Sequence, residues 1–221
     1  MIVDNSIELF SGINKVDVGR LLKCMGSRSR NYKKGDFIFL AGQSAPAVSI
    51  LLSGRAQVVR ENAWGDSTLI KSLTEGEIFG EVFACMGLKV IPVSVIAVEN
   101  SVVLMININS IIHTCENACS FHMQFISNLL KIIANKNAAL NQKMSYMTHK
   151  TIRGRITAYF NDQITQHDSF EFTIPFNRTE LAAYLCVDRS AMSRELSNMK
   201  QEGIIDFGGK KICWLKKDYL H

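Results

Sequence analysis

Proline is nearly absent from the 221-residue chain, with three in all, and no apolar run approaches the roughly 18 to 20 residues needed to cross a bilayer. The first shortage excludes a collagen-like or proline-rich chain, and the second a helical membrane span. The opening letters, MIVDNSIELFSGI, hold acidic residues and no basic one ahead of the apolar positions, so neither export nor membrane insertion is expected. Cysteines are few and scattered, at 24, 85, 115, 119, 186 and 213, without the dense spacing of a disulfide framework. Reduced thiols in a cytoplasmic protein are expected. The chain also lacks a glycine-rich phosphate loop, a nucleophile elbow, an HExxH pair and any paired-carboxylate signature, so neither an enzyme nor a resident cofactor is expected.

What is present suffices for a large core: 47% of residues are apolar and only 20% charged. The net charge of +5 favours approach to polyanions without specifying one. From about residue 30 to 109, short β-branched runs (Phe37 to Leu40, Val48 to Leu52, Ala56 to Val59, Leu69 to Leu73, Val93 to Val98, Val102 to Ile108) alternate with glycines. That pattern predicts a β sandwich or roll. From Ser110 to Met147 there is neither glycine nor proline, and Phe121, Phe125, Leu129, Ile132, Ile133, Leu140 and Met144 recur at helical spacing. A stripe of that length exceeds what a small β domain can cover, which predicts burial against a second copy through Phe121, Phe125, Leu129, Ile132 and Leu140. A second helical stretch, Lys150 to Gln166, and a short alternating strand around Phe172 follow. The expected organisation is α+β: a β-roll over 1–109, a dimerisation helix over 110–147 and a second, smaller domain over 148–221.

Residues 177–203 carry the strongest signal. Thr179 to Leu185 reads as one helix, Cys186-Val187 as a turn and Arg189 to Glu202 as a second helix, with Asp188 placed to cap it. Met192, Leu196 and Met199 face inward. Arg189, Ser190, Ser193, Arg194 and Ser197 form the opposite side, with hydroxyls small enough for close approach and guanidinium groups able to bond guanine O6 and N7 bidentately. Residues 151–221 hold ten basic and nine acidic side chains, so any attraction to DNA depends on local arrangement.

The string Leu185-Cys186-Val187-Asp188-Arg189-Ser190-Ala191-Met192-Ser193-Arg194-Glu195-Leu196, with Lys200 and Glu202-Gly203-Ile204-Ile205 behind it, resembles the helix-turn-helix of the cyclic-AMP receptor protein and fumarate-nitrate regulator (CRP/FNR) family of bacterial transcription factors. The resemblance covers almost the whole chain. It implies a cyclic-nucleotide-binding-like N-terminal β-roll, a long dimerisation helix and a C-terminal winged helix-turn-helix. It also implies a homodimer on near-palindromic double-stranded DNA, with RNA polymerase as a further partner if the protein activates. On this likeness Arg189, Ser190 and Arg194 match base-contacting positions, and Arg178 and Thr179 match positions at the DNA backbone. Phe207-Gly208-Gly209-Lys210-Lys211-Ile212 matches the wing, where Lys210 and Lys211 suit phosphates. Cys186 stands where glycine is common. Ser190 replaces an acidic residue that reads cytosine in the best-known member, so that member's DNA sequence does not carry over.

Gly76-Glu77-Ile78-Phe79-Gly80-Glu81-Val82 resembles the start of the family's cyclic-nucleotide pocket, in which Glu81 would hold a ribose hydroxyl. The family's Arg-Ser phosphate cradle falls here on Ile91 and Pro92, an apolar side chain and a residue without an N–H. With only Lys89 nearby to supply charge, poor cyclic AMP binding is expected, and any small-molecule effector near Gly80, Glu81, Val82, Lys89, Ile91 and Pro92 is of another kind. Two alternative readings are a regulatory module acting through protein partners and a metal or redox sensor built on His113, Cys115, Cys119 and His122. Cys115, Cys119 and His122 fall along one helical face, which spans too far to close a tetrahedron, so no metal site is expected. A haem ligand from His113, His122, His149 or Cys85 is not singled out by any pattern, and Cys24 alone cannot supply an iron-sulfur shell.

Overall fold

The computed structural model describes residues 7–44, 47–62, 64, 66–112 and 120–216. The chain divides into two compact units, Met1–Ala134 and Asn135–His221.

The first unit opens with a short 3-10 turn, Glu8–Phe10, and helix α1, Lys15–Cys24, whose Asn14 cap accepts from Asp17 N–H. Eight strands follow: β1 Arg28–Tyr32, β2 Phe37–Phe39, β3 Ala47–Ser53, β4 Ala56–Glu61, β5 Ser67–Leu73, β6 Ile78–Phe79, β7 Ser94–Ala97 and β8 Ser101–Asn107, with helix α2, Glu81–Cys85, after β6. They form two four-stranded sheets, ordered β1-β8-β3-β6 and β2-β7-β4-β5, with every pairing antiparallel.

Period-two alternation divides the first sheet's side chains between two cores. Leu51 and Val103 join Ile38, Ala56, Leu73, Phe79, Val95 and Ala97 in one. Val48, Ile50, Leu104 and Ile106 face the other, among Leu9, Phe10, Val18 and Leu21. Strands buried on both faces read as continuous apolar runs, which is why β3 and β8 are legible in the sequence.

Helix α3, Ile108–Ile112, and helix α4, Ser120–Met147, occupy the two ends of the expected long helix. His113, Cys115 and Cys119 lie outside the described residues. His122 is buried beside Phe121, with ring centroids 5.2 Å apart, and no metal-binding group of acidic, histidine or cysteine residues occurs among the described residues.

The expected seam needs correction. Phe125, Leu129 and Ile132 are buried in the first unit's own core, where Phe125 meets Phe10 at 5.8 Å, and Phe121 packs against the same cluster. Asn128 fixes that side further, donating to the carbonyls of Leu9 (3.1 Å) and Ser11 (2.7 Å). The N-terminal residues, which have little helical or strand periodicity, supply the cover that the stripe's length alone assigns to a second copy. Leu140 is exposed, as are Met123, Leu130 and Met144.

The second unit holds helix α5, Ile152–His167, strand β9, Glu171–Thr173, helix α6, Arg178–Tyr184, helix α7, Arg189–Gln201, and strands β10, Ile205–Gly208, and β11, Lys211–Trp214. The three strands form an antiparallel sheet ordered β10-β11-β9. Its core joins Ile156, Phe160, Phe172, Leu181, Met192, Leu196, Met199, Ile212 and Trp214. Tyr146 of α4 is buried in that core, 5.7 Å from Tyr159, and burial together with the Asp162 carboxylate pushes its hydroxyl pKa well above the ordinary tyrosine value. No helix among the described residues is long and apolar enough to cross a membrane.

Candidate nucleic-acid interface

Helix α6 begins with a reciprocal capping box. Asn177 accepts from Glu180 N–H at 2.9 Å, and Glu180 accepts from Asn177 N–H at 2.7 Å. Leu181 and Ala182 are buried against the next helix, and the chain turns through Leu185, Cys186 and Val187. Cys186 has φ +53°, the left-handed conformation that its position in the turn requires and that glycine would adopt without a Cβ clash. The turn is clamped from outside: Arg155 donates from Nη1 to the carbonyls of Leu185 (3.1 Å) and Cys186 (2.9 Å), and from Nε to His149 O (3.1 Å).

Asp188 caps α7, accepting from Ala191 N–H at 2.8 Å. Ser190 donates its hydroxyl to the same Asp188 oxygen at 2.5 Å. This bond, then the Ala191 N–H, hold the Asp188 carboxyl below its usual range. Met192, Leu196 and Met199 are buried, as their spacing predicts. Arg189, Ser190 and Arg194 are exposed and Ser193 is half-buried. Arg189 and Arg194 form no ion pair among the described residues, so two guanidinium groups stand uncommitted on the outer side of one helix.

The wing lysines are not free. Lys211 pairs with Glu171 at 2.8 Å, which raises the lysine's pKa and lowers the carboxylate's, and Lys210 donates to Pro175 O at 2.5 Å. Lys200 pairs with Asp206 at 2.5 Å. The wing turns at Gly209, φ +63°, between the paired residues Gly208 and Lys211. Thr179 is exposed, and Arg178 is half-buried with its guanidinium 4.3 Å from the centre of the Phe207 ring. Arg178 Nη1 has neither solvent nor a hydrogen-bond partner, and burial lowers its pKa.

Two residues of this region escape a reading by motif: Arg153 and Arg155. Arg153 donates from Nε to Glu195 (2.5 Å) and from both terminal nitrogens to Glu202 (2.8 and 2.7 Å), fixing α7 to α5. A signal existed, because a cation in a helix's first turn opposes the helix dipole and needs a partner elsewhere.

In the β-roll, Gly80 has φ +77° and the Phe39 ring 2.7 Å from where a Cβ would stand, so the backbone passes too close for any side chain. Glu81 and Ile91 are buried, whereas Val82, Lys89 and Pro92 are exposed. Ile91 is held at both backbone groups, donating to Gln43 O at 3.0 Å and accepting from Gly42 N–H at 2.9 Å. An apolar side chain therefore occupies the interior at position 91, and the exposed Lys89 brings no charge there.

Residues 29–118 match the cyclic nucleotide-binding domain family, and residues 154–221 match the Crp-like helix-turn-helix domain family. The chain is 23% identical over 190 residues to the transcriptional activator protein anr of Pseudomonas aeruginosa, a stretch covering 84% of this chain and 75% of that protein. It is 32% identical over 89 residues to the probable transcriptional regulator flp of Lacticaseibacillus casei, covering 40% of this chain and 41% of that one. Among solved structures, the catabolite activator protein of Thermus thermophilus superposes with a TM-score of 0.55 over 96% of each chain, at 22% identity, which shows a shared fold.

Proposed function

Because the chain belongs to the CRP/FNR family of transcription regulators, we propose that it acts as a homodimer on near-palindromic DNA, each subunit setting α7 into a major groove. The observation that carries this reading is the pair of uncommitted guanidinium groups, Arg189 and Arg194, beside two small hydroxyls on the exposed side of α7. Arg178 and Thr179 at the start of α6 and the Lys210–Lys211 wing would meet the phosphates. The wing lysines would exchange Pro175 and Glu171 for phosphate oxygens, so their net contribution is reduced by the partners they leave.

The dimer seam would follow a stripe of α4 that shares only Leu140 with the one first expected. Met123, Ile126, Leu130, Ile133, Asn137, Leu140, Met144 and Met147 recur at alternating steps of three and four, the a/d repeat of a two-stranded coiled coil. Met123, Leu130, Leu140 and Met144 are each more than half exposed in a single chain. Asn137 takes an a position, where a polar residue favours a parallel, in-register pair. The effector would be something other than a cyclic nucleotide, since among the described residues of the roll none replaces the missing guanidinium at Ile91 and a buried phosphate would go unpaired.

Selection of duplexes from a random pool by the full-length protein tests this function. Enrichment of an inverted repeat whose half-sites lie about 34 Å apart, with affinity that falls steeply as salt rises, is expected. Failure to enrich any duplex at low ionic strength overturns it.

A further inference from the structure

The geometry at the start of α7 assigns Asp188 a role beyond capping. The cap is already made by the bond from Ala191 N–H, yet the same carboxylate oxygen also receives the hydroxyl proton of Ser190, at 2.5 Å. An ionised carboxylate has no proton to give, so the direction of the Ser190 bond is fixed: Ser190 donates and Asp188 accepts. Asp188 is exposed and held below its usual pKa range, chiefly by this bond, which keeps it ionised at neutral pH.

A serine hydroxyl ordinarily meets any base edge, because its single proton can rotate toward an acceptor or away from a donor. Ser190 lacks that freedom. With its proton committed to Asp188, it shows only lone pairs to whatever lies outside the helix. In the major groove the acceptors are guanine O6 and N7, adenine N7 and thymine O4, and the amino donors are adenine N6 and cytosine N4.

We propose that Asp188 is a specificity-positioning residue that makes Ser190 an acceptor-only reader, so that the base facing Ser190 carries an amino group on its major-groove edge, adenine or cytosine, and guanine or thymine is rejected there. This inference rests on the reading of α7 as the helix in the groove. The rejection arises because guanine O6 or thymine O4 would face the Ser190 lone pairs with no proton between them, leaving two acceptors desolvated together unless the bond to Asp188 breaks.

The test compares duplexes selected from one random pool by the full-length wild type and by D188N, D188G and S190A. Asparagine keeps the carbonyl oxygen that accepts from both Ser190 and Ala191 while removing the charge, and glycine keeps most of the cap function while removing the acceptor. For wild type and D188N, one half-site position is expected to favour adenine or cytosine on one strand over guanine or thymine by on the order of tenfold. In D188G and S190A that preference disappears while the remaining positions of the same repeat stay enriched. Retention of the preference in D188G or S190A, or its absence in the wild type despite an enriched repeat, overturns the inference about Asp188. If none of the four proteins enriches a duplex, the DNA reading itself fails, an outcome distinct from either.

Discussion

The guanidinium carbon of Arg178, in the first turn of α6, lies 4.3 Å from the ring centre of Phe207 in the wing strand β10. The ring fixes the position of the half-buried guanidinium, whose Nη1 is covered and unpaired, so that on the proposed reading its remaining N–H groups would meet a phosphate. The contact also joins the helix-turn-helix to the wing. Phe207→Leu is therefore expected to weaken binding to specific and random duplexes by similar factors, about three- to tenfold, with Phe207→Trp restoring it. Arg178→Ala should lower the slope of log affinity against log salt by about one. In a double-mutant cycle the two positions should couple by about 0.5–1 kcal/mol.

Arg153 offers a stability test in the same unit. Its side chain and that of Glu195 are both mostly covered, so the pair stands between an exposed bridge worth under about 1 kcal/mol and a buried one whose breakage costs about 3–5. Arg153→Met is expected to destabilise by about 1–2 kcal/mol in urea unfolding. Its effect depends on pH. The Arg153 bond holds Glu202 below its ordinary pKa, so the folded state binds that proton less readily than the unfolded state. The stabilisation is full above the unfolded value near 4.3 and is lost as pH falls through the lower, folded one. The gap between wild type and variant should narrow from pH 6 to pH 3.

Where residues bury on both sides or repeat at a fixed spacing, their sequence was sufficient. β3, β8 and the inward face of α7 came from apolar runs and from Met192, Leu196 and Met199. Strand β1, Arg28-Ser29-Arg30-Asn31-Tyr32, was illegible because it is an edge strand with an exposed polar surface and no apolar alternation. Helix α1 was missed for a related reason, as only Val18 and Leu21 of its ten residues are buried. On α7, the exposure of Arg189, Ser190 and Arg194 follows from helical spacing. The partners of Lys211 and Arg153 do not, since Glu171 and Glu202 lie 40 and 49 residues away from them and only the folded chain brings them together.

The proposed a/d seam separates two substitutions on α4. Phe125→Glu places a carboxylate in the core beside Phe10 and should unfold the first unit, with loss of the cooperative melt. Leu130→Glu combined with Leu140→Glu alters only exposed positions of one chain. Sedimentation should then give a folded monomer with unchanged far-ultraviolet circular dichroism. Asn137→Leu should raise the dimer's melting temperature while relaxing its preference for two strands. A dimer undisturbed by the Leu130/Leu140 pair sets the a/d seam aside.

At Cys186, backbone strain and chain entropy pull in opposite directions. A residue with a Cβ in the left-handed region costs about 1–2 kcal/mol relative to its relaxed conformation, and φ here is +53°. Glycine removes that strain but loses more backbone entropy on folding, about 0.5–1 kcal/mol. The strain outweighs the entropy, so Cys186→Gly should stabilise the protein by about 0.5–1 kcal/mol, measured by urea midpoint at constant m-value. Cys186→Val must destabilise it, because a β-branched side chain fits that conformation worst. The left-handed residue is held in place by Arg155, whose Nη1 donates to the two consecutive carbonyls, of Leu185 and Cys186, that flank the Cys186 Cα. Arg155→Met leaves those carbonyls to solvent and should remove part of the advantage of glycine, since a turn no longer clamped can relax around the cysteine. The two substitutions should therefore be non-additive, the gain from Cys186→Gly being smaller in the Arg155→Met background. Equal gains in both backgrounds would mean that the clamp and the strain are independent.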